Sequence, residues 1–154
     1  MTWIGNSIEE LVTMASPQMP NTLFVYGSLR QSCRHPQRKV LDDHASFLGL
    51  GSMAGDLFNF GDYPGAIYLP DSKTKVVGEI YQLRDEALVL SALDQYEECG
   101  PSFDAPWEFV RHICPIETES RKAPIEAWCY LYNLNVEGLD SIAPDYLAFL
   151  KKRD

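Results

Sequence analysis

Two short segments of this 154-residue chain carry residue types that could do chemistry. The first is Tyr26-Gly27-Ser28-Leu29, at the end of the apolar run Thr22 to Tyr26. A strand that ends in Gly-Ser can turn its backbone N–H groups outward into a small nest, which suits a carboxylate or a developing oxyanion. The same dipeptide is more often a plain turn, and the pattern by itself leaves both readings open. The second segment is Leu93-Asp94-Gln95-Tyr96-Glu97-Glu98, in which three of six residues are acidic. These acids fall in the last turns of an expected helix. There they face the negative end of the macrodipole, which raises a carboxylate's pKa and brings a general base closer to neutral pH. A solvated acidic helix end has the same sequence.

Other groups are weaker candidates. Trp128, Tyr130 and Tyr132 alternate along one strand face, where aromatic residues fill a core or wall a ligand cavity in a small barrel. Glu79 shares a face with Val77, Tyr81 and Leu83, so that face meets solvent or Glu79 enters a polar pocket. His35, His44 and His112 lie at spacings that no standard metal site uses, and no metal or cofactor is expected. His112 reads as a strand residue turned to solvent. Cys33, Cys99, Cys114 and Cys129 form no CxxC and read as free thiols. The usual nucleotide, zinc-protease and serine-hydrolase signatures are missing.

Composition bounds the partners. Lys plus Arg number 13 and Asp plus Glu 22, a formal charge of −9. This balance argues against nucleic acid and against an anionic membrane surface. With 45% hydrophobic and 12% aromatic residues the chain can bury a sizeable core. No apolar run approaches the ~20 residues of a membrane span. The acidic N-terminus does not look like a targeting peptide, so a cytoplasmic location is expected.

The elements that would position these residues follow from periodicity. Residues 1–21 read as an extension with a short helix from Ser7 to Met14, and 22–154 as one domain. Self-association through the extension stays open. Thr22 to Tyr26 reads as a strand buried on both faces. Pro36 to Asp43 suggests a short helix with Pro36 at its first position. The segment Phe47 to Phe60, with glycines at 49, 51 and 55, reads as a bent strand ending in the turn Asn59 to Gly65. Ala66 to Leu69 and Lys75 to Leu83 suggest a hairpin-like pair. Asp85 to Glu98 is the clearest helix, with Asp85 as its cap and Val89, Ala92, Leu93 and Tyr96 on one face. Trp107 to Ile116 and Ile125 to Asn133 read as two more strands, and Pro144 to Lys152 as a last helix. The sum is an α+β domain built on a small, mainly antiparallel, barrel-like sheet.

Seven pieces in this order resemble the gamma-glutamylcyclotransferase-like family. They are FVYGSLR (Phe24 to Arg30), His35, DYPG (Asp62 to Gly65), VVGEIYQL (Val76 to Leu83), LDQYE (Leu93 to Glu97), a strand with Arg111, and AWCYLY (Ala127 to Tyr132). The likeness covers about Leu23 to Tyr132 and is strongest to the branch with gamma-glutamylamine cyclotransferases. It implies a small mixed barrel flanked by helices. It also implies cyclisation of a γ-glutamyl group to 5-oxoproline, with a small-molecule γ-glutamyl amine or peptide as substrate and no cofactor. By resemblance, Tyr26, Gly27, Ser28 and Leu29 hold the γ-glutamyl moiety through backbone amides, Glu97 is the acid/base, and Tyr130 or Tyr132 lines the pocket. Two departures stand out. Glu98 replaces the family's glycine after LDxYE, and Phe109-Val110-Arg111 stands where Tyr-x-Arg is usual, after the long segment CGPSFDAPWE. They leave room for a related transferase or lyase acting on a bulkier γ-glutamyl compound, or for a non-catalytic binding module.

Overall fold

The structure, a computed structural model, describes residues 20–27, 29–30 and 35–153. The expected helix Ser7 to Met14, Cys33 and Ser28 lie outside the described residues. Strand β1 (Thr22–Val25) is buried along its whole length. Alternation sends Phe24 into one apolar cluster, with Met53, Leu57, Ile80, Cys114 and Cys129. It sends Leu23 and Val25 into another, with Leu41, Tyr81, Val89 and Leu93. The first cluster draws on every strand and is the barrel interior; the second lies between the barrel wall and the helices. A strand between two apolar layers needs an unbroken apolar run, which is what TLFVY provides.

The remaining elements are α1 (Arg38–His44), β2 (Ala45–Asn59), β3 (Pro64–Tyr68), β4 (Lys75–Leu83), α2 (Glu86–Glu97), β5 (Phe109–Thr118), β6 (Arg121–Tyr132) and α3 (Tyr146–Arg153). The sheet runs β3-β2-β4-β1-β6-β5, and Ser52 of β2 also pairs with Glu117 of β5. That last pairing closes β2-β4-β1-β6-β5 into a barrel, with β3 as an extra strand. The β1–β6 pairing is parallel, with Leu23 opposite Trp128. The other pairings are antiparallel. The fold is therefore a small mixed, mainly antiparallel barrel flanked by helices.

One pairing differs from expectation. The strands on either side of Pro70 to Thr74 do not form a hairpin with each other. Both register on β2, β3 along Gly55 to Asn59 and β4 along Ala45 to Ala54. β2 is 15 residues long, enough to hold two partners end to end. The loop between them is tied to β2 by Leu69 N–H to Ala54 C=O and Gly55 N–H to Thr74 C=O, both 3.0 Å. α1 also begins later than expected. Pro36 lies in the turn before it, and Gln37 is its cap, without a side-chain bond. His112 is exposed, and Cys99, Cys114 and Cys129 are free and buried.

α2 starts as expected, with the Asp85 carboxylate accepting the Leu88 N–H at 3.2 Å. It ends on Glu98, whose φ of 56° is left-handed, and whose N–H points back to the Asp94 and Gln95 carbonyls. That is the cap position where glycine is favoured, because a Cβ there costs about 1 kcal/mol. Glu98→Gly is expected to raise the unfolding free energy by about 0.5–1 kcal/mol. Thermal melting would show this as an increase of about 1–4 °C. A lower melting temperature would mean that the Glu98 side chain contributes more than the strain costs.

Candidate active site

A cavity of about 360 Å³ opens where β1 ends. Five stretches of chain converge on it: Phe24 to Gly27 with Leu29, Asp62 to Pro64, Tyr96 to Glu98, Glu108 with Phe109, and Tyr130; His35 completes the wall. Both candidate segments therefore face one space, although nearly 70 residues separate them in sequence.

The Tyr26 hydroxyl donates to the Tyr130 carbonyl at 2.7 Å and accepts the Ala66 N–H at 3.1 Å. Burial, first of all, pushes its pKa well above the usual phenol value. Tyr26 thus braces β1 against β3 and β6 and keeps its proton. At Gly27 a Cβ would lie 2.7 Å from Pro64 Cγ, so only glycine lets the loop pass the DYPG turn. The Arg30 N–H closes a turn onto the Gly27 carbonyl at 3.1 Å. The Leu29 carbonyl accepts from the Arg38 guanidinium at 2.6 Å. Ser28 lies between these two fixed points but outside the described residues.

A buried polar chain supports this loop from behind. Arg38 donates to the Tyr81 hydroxyl at 2.9 Å, and that hydroxyl donates to Glu79 at 2.9 Å. Arg30 meets the other Glu79 oxygen at 3.3 Å and Asp145 at 2.7 Å. Glu79 is 4% exposed, so its strand face meets a polar pocket and not solvent. A buried carboxylate is tolerable only when paired and hydrogen-bonded in this way.

In the acidic segment, helical geometry gives each residue a separate task. Leu93 is buried against the barrel. Asp94 turns toward β5 and β6, where Arg111 grips both its oxygens at 2.9 and 3.0 Å and Tyr130 donates to it at 2.6 Å. Arg111 also lies 4.4 Å over the Trp128 ring. This fixes the end of α2, so that Glu97, one turn beyond Leu93, faces the cavity. Burial, and then the charge of Glu108, push the Glu97 carboxyl up to about 7. Glu98 is exposed at the cavity rim. Across from Glu97, the Tyr63 hydroxyl donates to Glu108. That bond and then burial push Tyr63 up to about 12.

The tyrosines of β6 part company. Tyr130 belongs to the cavity wall. Tyr132 is not among the lining residues; it stacks on Phe60 at 4.1 Å and meets Phe109 edge-on at 5.5 Å. In the sequence, Asp94 and Tyr63 stand out only as members of their segments, with no role of their own, and Glu108 and Arg38 do not stand out at all. Asp94 had a signal, since an acid beside the core residue Leu93 must leave the cavity face. Tyr63 and Glu108 are brought in by the residues just before β3 and β5, and Arg38 by the start of α1.

Residues 23–147 match the family model described as gamma-glutamyl cyclotransferase, AIG2-like. The chain belongs to this family. Over 85 residues it is 35% identical to the gamma-glutamylaminecyclotransferase of Mus musculus. That match covers 50% of this chain and 54% of the mouse protein, about half of the relative's length. The fold is similar to the crystal structure of an AIG2-like protein from Mus musculus, at a TM-score of 0.63 and 26% identity over 84% of this chain and 89% of that one. It is also similar to the solution structure of YtfP from Escherichia coli, at 0.56 and 29% over 82% and 96%. For a member of the AIG2-like gamma-glutamyl cyclotransferases, the phenylalanine at 109 makes an apolar wall. It is 6% exposed and packed between Tyr63 and Tyr132.

Proposed function

We propose that this protein is a cyclotransferase that closes the γ-glutamyl group of a γ-glutamyl amine on itself, releasing 5-oxoproline and the free amine. One observation carries the reading: Glu97, raised to about 7, shares a cavity with the glycine loop after β1. The substrate's α-amine attacks its own γ-carbonyl carbon, forming the ring C–N bond, and the bond to the leaving nitrogen then breaks. Because the attack is intramolecular, positioning supplies much of the rate and no protein nucleophile is needed. The α-ammonium first gives one proton to solvent; Glu97 takes the second, lost as the neutral amine attacks, and returns it to the leaving nitrogen. The loop backbone at Gly27, Ser28 and Leu29 holds the γ-glutamyl moiety, with Tyr26 and Tyr130 as its walls.

Charge supports an amine as the leaving group. Asp62, Glu98 and Glu108 line the cavity beside Glu97, and no Lys or Arg is among the described lining residues. Such a site attracts the α-ammonium of the substrate and repels a leaving group with its own carboxylate. The test is to incubate the protein with a γ-glutamyl alkylamine and with a γ-glutamyl dipeptide, and to measure 5-oxoproline by mass. The alkylamine is expected to react faster, by about tenfold or more in kcat/KM. No 5-oxoproline from either compound would overturn the reading.

A further inference from the structure

The proposed reaction places a developing negative charge on the γ-carbonyl oxygen, inside a cavity walled by four carboxyl groups and by no Lys or Arg among the described residues. With Asp62, Glu97, Glu98 and Glu108 around it, that oxygen must be met by neutral hydrogen-bond donors. Backbone N–H groups of the loop are one source. The side-chain candidates are His35, whose single ring N–H meets Tyr96, and four tyrosines, Tyr26, Tyr63, Tyr96 and Tyr130. Three are spent: Tyr26 donates to the Tyr130 carbonyl, Tyr63 to Glu108 and Tyr130 to Asp94.

Tyr96 differs because of the ring it meets. His35 Nδ1 accepts the Gln37 backbone N–H at 3.1 Å, which requires a bare nitrogen there. The neutral ring therefore carries its proton on Nε2, which lies 2.8 Å from the Tyr96 hydroxyl. The rings meet edge-on at 5.1 Å. Tyr96 thus accepts from His35, and its own O–H has no acceptor among the described residues. A hydroxyl that accepts one hydrogen bond donates a stronger second one. Tyr96 is 38% exposed, at the mouth of the cavity; its partial burial, and then the Glu97 charge, raise its pKa, so the donor keeps its hydrogen.

We infer that Tyr96 is a further catalytic residue, donating a hydrogen bond to the γ-carbonyl oxygen as its charge develops, and that His35 is the positioning residue that aims it. This inference rests on the cyclotransferase reading above. No proton is transferred in this step: the bond strengthens as the oxygen becomes anionic and relaxes when the carbonyl of 5-oxoproline re-forms.

The test is Tyr96→Phe, which keeps the ring against His35 and removes only the hydroxyl. It is measured beside wild type on a γ-glutamyl alkylamine and on γ-glutamyl-p-nitroanilide. Loss of an oxyanion donor lowers kcat by about 10²-fold on both substrates, with KM little changed. His35→Ala should lower kcat less, and the double variant should be no slower than Tyr96→Phe alone, because both act through one hydroxyl. Wild-type-like kcat in Tyr96→Phe, a loss confined to KM or to one leaving amine, or multiplying losses in the double variant would each overturn the inference while leaving the reaction standing. A wild-type protein that turns over neither substrate would overturn the reaction and this inference with it.

Discussion

Glu97→Gln is expected to lower kcat/KM for a γ-glutamyl amine by about 10²–10⁴-fold. It should also make the protein harder to unfold at pH 8. Both effects come from one titration. The carboxyl is raised to about 7 by burial and then by Glu108. A base works only when deprotonated, so wild-type activity should climb through about pH 7, and the variant should lack that limb. Stability moves the opposite way. The unfolded chain releases this proton near the ordinary value of 4.5, so between about 4.5 and 7 the folded state binds more protons. Unfolding free energy therefore falls as pH rises through that window. The contribution is fully present below pH 4.5 and lost above pH 7. It amounts to about 2 kcal/mol once residual solvent screening is allowed for. Glutamine has no such titration. Urea denaturation of both proteins at pH 4.5 and pH 8 should show the stability gap shift by that amount in favour of the variant. A gap that does not change with pH would mean that Glu97 is not a buried charge.

Local pattern carried far in some places and stopped in others. Thr22 to Tyr26 betrays its double burial because each face of the strand meets an apolar layer, and its two hydroxyls are buried only with partners, Thr22 donating to the Glu126 carbonyl and Tyr26 to the Tyr130 carbonyl. Asp85 to Glu98 is legible for a similar reason, since Leu93 and Val89 repeat at helical spacing and Asp85 has the chemistry of a cap. The choice between Glu97 and Glu98 was harder to see. One residue along a helix is a rotation of about 100°, which separates a half-buried carboxyl from an exposed one. Only the cap, with Glu98 left-handed, shows where the helix stops. The pairing of β3 with β2, in place of β4, was not legible at all. Register between distant strands is set by which edge is free, and a strand's own alternation does not encode that.

The partners of the candidate site were hidden by the same non-local logic. Glu108 and Tyr63 lie 45 positions apart and meet only because the turn after β2 faces the start of β5. Yet Glu108 raises the Glu97 carboxyl. Asp94 and Arg111 likewise look like ordinary surface charges until they close on each other. Once paired, they anchor the helix end from which Glu97 and Tyr96 reach the cavity. A pattern that repeats every two or 3.6 residues reports on faces; a site assembled from five stretches of chain reports on topology.

Gly27→Ala is expected to lower kcat/KM by at least about tenfold and to cost about 1–3 kcal/mol of stability. The added methyl would sit 2.7 Å from Pro64 Cγ and 3.2 Å from Cδ. Neither side yields easily. Pro64 is a closed ring at the first position of β3, paired with Asn59, and the turn before it is closed by the Phe60 N–H to the Tyr63 carbonyl at 2.9 Å. The loop is held by Arg30 on the Gly27 carbonyl and by Arg38 on the Leu29 carbonyl. Relief must come from the loop moving off the cavity, taking with it the backbone amides assigned to the substrate. A displacement of about 1 Å is enough to cost about 10²-fold in a well-aligned reaction. Pro64→Ala removes both clashing carbons, so the double variant Gly27→Ala/Pro64→Ala should recover most of what Gly27→Ala loses in kcat/KM and in melting temperature. This coupling is what a double-mutant cycle measures. Losses that simply add in the double variant would place the damage somewhere other than the contact between loop and ring.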